Sequence, residues 1–114
     1  MVRKKRVWYP GAKYHITCRG NKKKSIFLDR LDYQIYLNIL KEVYEKYSFS
    51  LRSYCLMPNH VHLQLKTKDI EIWKIMQGIN WRYARYFNER YSTVGHVFQG
   101  RYGSKIIENN YYNL

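Results

Sequence analysis

Acidic residues are scarce in this 114-residue chain: 8 Asp or Glu stand against 21 Lys or Arg, giving a net charge of +13 and a pI near 9.8. With so little negative charge on so small a body, an anionic polymer is the first partner to consider, because each neutralised phosphate releases counterions. Nucleic acid is favoured over a membrane surface: no apolar run approaches the roughly 18 residues of a membrane span, and residues 1–6 (MVRKKR) lead into no signal-peptide core. A cytoplasmic protein is therefore expected. The two cysteines, Cys18 and Cys55, lack the CxxC spacing of a zinc site and the density of a secreted scaffold, so both are expected to be reduced core residues. Internal repeats, linkers and low-complexity stretches are also missing, which points to one domain over residues 1–114. Against these absences stand 46% hydrophobic and 18% aromatic residues, too much apolar material for a disordered basic tail and enough for one core.

Residues 14–19 (YHITCR) alternate and close at Gly20-Asn21, a strand and its turn, after which Lys22, Lys23 and Lys24 mark a basic loop. From Asp29 the period becomes helical, with a stripe of Tyr33, Tyr36, Leu37, Leu40, Val43, Tyr44 and Tyr47, and with Glu42 and Lys46 one turn apart. Residues 49–57 and 60–66 flank Pro58-Asn59 in the manner of a hairpin. A second helix carries Ile72, Ile75, Met76, Ile79, Tyr83 and Tyr86, from an N-cap at Asp69 to residues 88–91. A glycine-punctuated loop then gives way to a strand over residues 102–107, and a third helix is expected to start near Glu108. Strand, helix, strand, strand, helix, strand is the order of a ferredoxin-like split βαβ unit, an α+β fold with an antiparallel sheet and helices packed on one face.

His60-Val61-His62 is the sharpest local signal. Residues two apart on a strand point to one face, so two imidazoles can converge on one metal ion; spacing alone equally describes two half-buried histidines on an ordinary strand. His15 and His96 have no spacing that argues for metal: His15 can approach the same face if the first strand neighbours residues 60–66, and His96 can support its loop or meet a phosphate.

The string around the pair, Tyr54-Cys55-Leu56-Met57-Pro58-Asn59-His60-Val61-His62-Leu63, resembles a strand of the REP-associated tyrosine transposases, insertion-sequence relatives within the single-strand HUH nucleases. Tyr14-His15-Ile16-Thr17 with Arg19-Gly20-Asn21 resembles that family's first strand and turn. Tyr83-Ala84-Arg85-Tyr86-Phe87-Asn88 and Gly95-His96-Val97-Phe98-Gln99-Gly100-Arg101-Tyr102 resemble the end of its second helix and its glycine-rich run. The four motifs stand in family order across residues 14–102.

The resemblance implies a single-stranded DNA transposase, a nuclease and strand transferase that recognises hairpin DNA. His60 and His62 would be the ligands of a divalent metal, Mg²⁺ or Mn²⁺, and a tyrosine would attack the phosphodiester to leave a 5′-phosphotyrosine. That tyrosine belongs to a Tyr-Ile-x-x-Asn-Pro type motif on the helix after the last strand, and its Asn would be a natural third ligand. No such string occurs in the 114 residues, so the C-terminal part of that helix is expected to be missing. Tyr111 and Tyr112 are near the right place, although packing of the last helix explains them as well.

Arg19, Asn21, Lys22, Lys23, Lys24, Arg82, Arg85, Arg101 and Lys105 are the expected nucleic-acid contacts, with Trp8, Trp73 and Trp81 available to stack on unpaired bases. Tyr33, Tyr36, Tyr44, Tyr83 and Tyr86 are expected in the core. An inactive or truncated hairpin-binding module of the same fold is the alternative function, and a homodimer stays open as a partner. A ferredoxin-like RNA binder is disfavoured by the lack of an RNP1-like string.

Overall fold

Tyr14, Ile16 and Cys18 alternate with more exposed residues along the first strand, β1 (Lys13–Arg19), and are buried to within 2% of full coverage. Val61, Leu63 and Leu65 do the same along β3 (His60–Lys66). The computed structural model, which describes residues 8–107, pairs these two strands at the centre of a four-stranded antiparallel sheet. Strand β2 (Ser50–Met57) pairs outside β3, and β4 (Gly103–Ile107) outside β1, giving the order β2-β3-β1-β4 of the split βαβ arrangement. Helices α1 (Arg30–Tyr47) and α2 (Ile72–Tyr91) cover one face only, and the core lies between them and the apolar side of the sheet. Period-2 alternation in β1 and β3 is the direct consequence: one side of each strand packs, the other stays open.

Several boundaries differ from the sequence expectations. Helix α2 starts at Ile72 rather than just after Asp69, with Glu71 at the N-cap position and no side-chain cap. The chain leaving β3 is first tied down at Thr67, which is buried, donates its N–H to the Ala12 carbonyl and receives the Trp8 indole N–H. On α1 the buried stripe runs through Tyr36, Ile39, Leu40 and Val43, whereas Tyr44, expected in the core, is 48% exposed and only meets Phe49 edge-on. Cys55 is likewise exposed, because edge strand β2 has its upward-facing residues uncovered; Cys18 alone of the two cysteines is buried. Glu42 faces Arg82 of α2 rather than a partner on its own helix. The expected third helix lies outside the described residues.

One carboxylate joins the helix ends. Asp32, fully buried in the first turn of α1, accepts from the Leu28 N–H (2.8 Å), both tyrosine hydroxyls Tyr86 and Tyr91 (2.6 Å each) and Arg90 (2.7 Å). Arg90 also bridges to Asp29, the α1 N-cap. The start of α1 is thereby held against the last turns of α2.

At the end of β1 the chain turns tightly through Gly20, whose N–H meets the Asn59 carbonyl and whose carbonyl receives the Lys23 N–H. A Cβ built on Gly20 would lie 2.0 Å from the Lys24 carbonyl oxygen, so even one methyl group must displace backbone. Gly20→Ala should cost about 1–3 kcal/mol or more, the range for forced overpacking. Urea unfolding checks it, and an unchanged midpoint would contradict the packing described.

Candidate nucleic-acid and metal-binding face

Because opposite residues in an antiparallel ladder share a face, the register itself assembles the site. His62 stands opposite Thr17 and Cys55, His60 opposite Arg19 and Met57, and His15 opposite Gln64 and Lys105. All of these lie on the side of the sheet away from the helices. None of the four strands contains an Asp or Glu, while they contain Lys13, Arg19, Arg52, Lys66 and Lys105. Among the described residues the acids sit instead on or beside the helices, at Asp29, Asp32, Glu42, Glu45, Asp69, Glu71 and Glu89. The open face is consequently cationic.

The His60 and His62 rings are 4.9 Å apart between centroids and nearly perpendicular. Nδ1 of His60 donates to Asn59 Oδ1 at 2.8 Å, which leaves the Nε2 lone pair of His60 available. Nδ1 of His62 lies 3.2 Å from His15 Nε2 and 3.3 Å from Thr17 Oγ1. Partial burial, and then the positive neighbourhood of His60, His15 and Arg19, hold the His62 pKa below the ordinary imidazole value. His62 is thus neutral at neutral pH, the state in which imidazole ligates a metal. Among the described residues no set of three His, Cys, Asp or Glu side chains could hold a metal. The fit is therefore to a two-nitrogen donor pair that leaves the remaining positions to oxygen ligands, the donors Mg²⁺ and Mn²⁺ prefer.

His15 joins this cluster: β1 neighbours β3, and its ring centroid is 5.3 Å from that of His62. A shallow cleft of about 360 Å³ lies beside it, lined in part by His15, Cys55, His62 and Gln64, with Ser53 donating to Gln64 Oε1. Sequence reasoning did not single out Cys55 or Gln64 for this face; period-2 counting from His62 along β3 reaches Gln64, but only the pairing with β2 reaches Cys55.

Of the expected nucleic-acid contacts, Arg19 and Lys105 are exposed on the histidine face. Asn21, Lys22 and Lys23 form a 3₁₀ turn at its edge, with Lys22 and Lys23 in the left-handed region, and Lys24 follows. The glycine-rich loop locks onto this turn through Asn21 N–H to Val97 O and Gln99 N–H to Arg19 O. A second cleft, about 500 Å³, opens there between Lys22, Lys24 and His96. Arg101 is exposed just before β4. Arg82 and Arg85 are not brought to this face: they project from α2, on the other side of the sheet, where Arg82 approaches Glu42 and Arg85 pairs with Glu89. Trp73 and Trp81 also lie there, 41% and 60% exposed, whereas Trp8 is partly buried. Tyr111 and Tyr112 lie outside the described residues.

A small, basic α+β protein with a histidine pair on an uncovered, acid-free sheet face is the class that this fold and site define. The chain belongs to the IS200-like transposase family, whose model matches residues 9–114. Two solved structures share the fold. The first, a REP-associated tyrosine transposase bound to a REP hairpin, superposes with a TM-score of 0.76 at 16% identity, covering 99% of this chain and 66% of that one. The second, a Deinococcus radiodurans R1 protein described as a transposase, gives 0.69 at 17% identity, covering 98% and 91% respectively. The chain thus spans about two thirds of the length of the hairpin-bound transposase. No curated protein matches it.

Proposed function

We propose that the protein binds hairpin DNA and cuts and rejoins an adjacent single strand, using a tyrosine nucleophile and a divalent metal ion held by His60 and His62. The observation that carries this reading is the convergence of the two imidazoles, both with Nδ1 engaged, on a sheet face that among the described residues has cations and no carboxylate. Family membership supports DNA strand chemistry, and the hairpin in the similar transposase supports the substrate form.

On this reading Arg19 and Lys105 bind backbone phosphates beside the histidines, and the turn at Asn21, Lys22 and Lys23 with Lys24 tracks the hairpin stem. Mg²⁺ or Mn²⁺ on His60 and His62 would stabilise the negative charge that develops on the scissile phosphate. The tyrosine oxygen forms a bond to phosphorus as the P–O3′ bond breaks. The phosphate stays on the tyrosine as a 5′-phosphotyrosine, and the departing oxygen takes a proton to become a 3′-OH. Tyr111 and Tyr112 are the candidates for this role within the 114 residues.

The test is incubation with end-labelled single-stranded DNA carrying a hairpin and flanking tails, in Mn²⁺ or in EDTA. A metal-dependent covalent protein–DNA band on a denaturing gel is expected, with peptide mapping assigning the tyrosine. A native-gel shift without that band would overturn cleavage by this chain and favour the second reading, a binding module of the same fold. The absence of a Tyr-Ile-x-x-Asn-Pro string is what keeps that second reading in view.

A further inference from the structure

A metal-binding imidazole needs its other ring nitrogen fixed, because the partner of that nitrogen sets both the tautomer and the ring plane. His60 has such a partner in its sequence neighbour, Asn59 Oδ1, at 2.8 Å. His62 has no equivalent on its own strand. Its Nδ1 instead looks across to β1, where Thr17 stands directly opposite and His15 lies one diagonal step along the same face. The shorter of the two contacts is to His15 Nε2, 3.2 Å against 3.3 Å for Thr17 Oγ1.

Two proton arrangements satisfy the His15–His62 contact, and they have opposite consequences. If His15 Nε2–H donates, the proton of neutral His62 sits on Nε2, and that nitrogen has no lone pair for a metal. If His62 Nδ1–H donates to the His15 Nε2 lone pair, His62 Nε2 is free in the same way as His60 Nε2. Only the second arrangement makes the two histidines of β3 equivalent donors.

We propose that His15 is a positioning residue that accepts the Nδ1 proton of His62 and so holds His62 in the tautomer that binds metal, a role that rests on the metal-site reading above. The pair spans two strands, so β1 contributes to the site without supplying a ligand. The three-histidine cluster also divides its labour: Asn59 orients one ligand from the β2–β3 turn, and His15 orients the other from the centre of the sheet.

His15 is exposed, and the packing of β1 rests on Tyr14, Ile16 and Cys18, so its replacement leaves the fold in place. Mn²⁺ binding by titration calorimetry is the first readout. His15→Leu should weaken the affinity about tenfold or more, the scale of losing an outer-shell partner, and His15→Gln, whose amide oxygen can accept, should recover it to within about threefold. The second readout uses the metal-free protein: long-range ¹⁵N–¹H NMR correlation at neutral pH should place the His62 proton on Nδ1. Affinity unchanged in His15→Leu, a drop in Thr17→Val in its place, or a proton on His62 Nε2 would overturn the proposal. A loss in His15→Leu as deep as in His62→Ala would overturn it too, since His15 would then be a ligand itself. If His60→Ala and His62→Ala both bind Mn²⁺ as the unaltered protein does, the metal-site reading fails, and that result is distinct from the failure of His15 alone.

Discussion

Asp32→Ala lowers the unfolding free energy by about 3–5 kcal/mol, as the loss of one partner from a buried ion pair does. Four donors converge on this one buried carboxylate: the Leu28 N–H, two tyrosine hydroxyls and Arg90. Removing it takes the shared acceptor from all four at the junction of α1 and α2; Arg90 keeps its bridge to Asp29, whereas the Leu28 N–H and the two hydroxyls lose the oxygen they meet. Against a typical total of about 5–15 kcal/mol, this is a large fraction of the stability. Asp32→Asn falls between the two proteins, because an amide has one acceptor oxygen where two are used and adds an N–H₂ that faces donors. Burial raises the Asp32 pKa, but hydrogen bonds from Tyr86, Tyr91, Leu28 and Arg90 outweigh it and hold the value below the ordinary one. A depressed folded pKa contributes stability that is present above the unfolded value near 4, and is lost as pH falls through the lower folded value. Urea denaturation at a series of pH values should therefore show the gap between Asp32→Ala and the unaltered protein widest at neutral pH and narrowing below about pH 4. A gap independent of pH would mean that the carboxylate's charge contributes nothing. Tyr91 works on the opposite limb: burial and its bond to Asp32 push its hydroxyl up to about 12, so its contribution is lost as pH rises toward that value.

This network marks a limit of what the residues disclose by themselves. The order of elements was legible because β1 and β3 alternate strictly and the α2 stripe of Ile72, Ile75, Met76, Ile79 and Tyr83 keeps the helical period. Edge strand β2 was less so: none of its residues is buried, so burial imposes no period on it, and Cys55 ends on the surface. Tyr44 was misplaced for a related reason. It lies at the margin of the α1 stripe, where a few degrees of helix rotation decide between core and solvent, and Ile39 takes the buried position instead. Nothing in the local sequence marks Asp32, a charged residue in a first helical turn, as buried. Its real partners, Tyr86, Arg90 and Tyr91, lie more than 50 positions away. Likewise the HxH pair was visible as a local motif, but the participation of His15 depended on β1 lying next to β3 in one particular register.

The same register puts His60 and His62 on the uncovered side of the sheet, so their side chains can be removed with little cost to the fold. His60→Ala and His62→Ala each take one nitrogen from the pair, and no group of three His, Cys, Asp or Glu among the described residues could hold the ion in its stead. A single imidazole leaves a weakly held ion, and the several kcal/mol of transition-state charge stabilisation that a bound ion supplies translate into roughly 10²–10⁴ in rate. Metal-dependent formation of the covalent DNA adduct should fall by that factor in either variant. Hairpin binding should persist, because on the proposed function Arg19, Lys105 and the lysines of the 3₁₀ turn would hold phosphates without the ion. The unfolding free energy should change by less than about 1 kcal/mol, since Val61, Leu63 and Leu65 carry the packing of β3 and the histidines face away from it. Stability, hairpin affinity and adduct formation measured on the same two proteins separate the possibilities. A loss of all three would show that the histidines hold the sheet together, and undiminished adduct formation would remove them from the chemistry altogether.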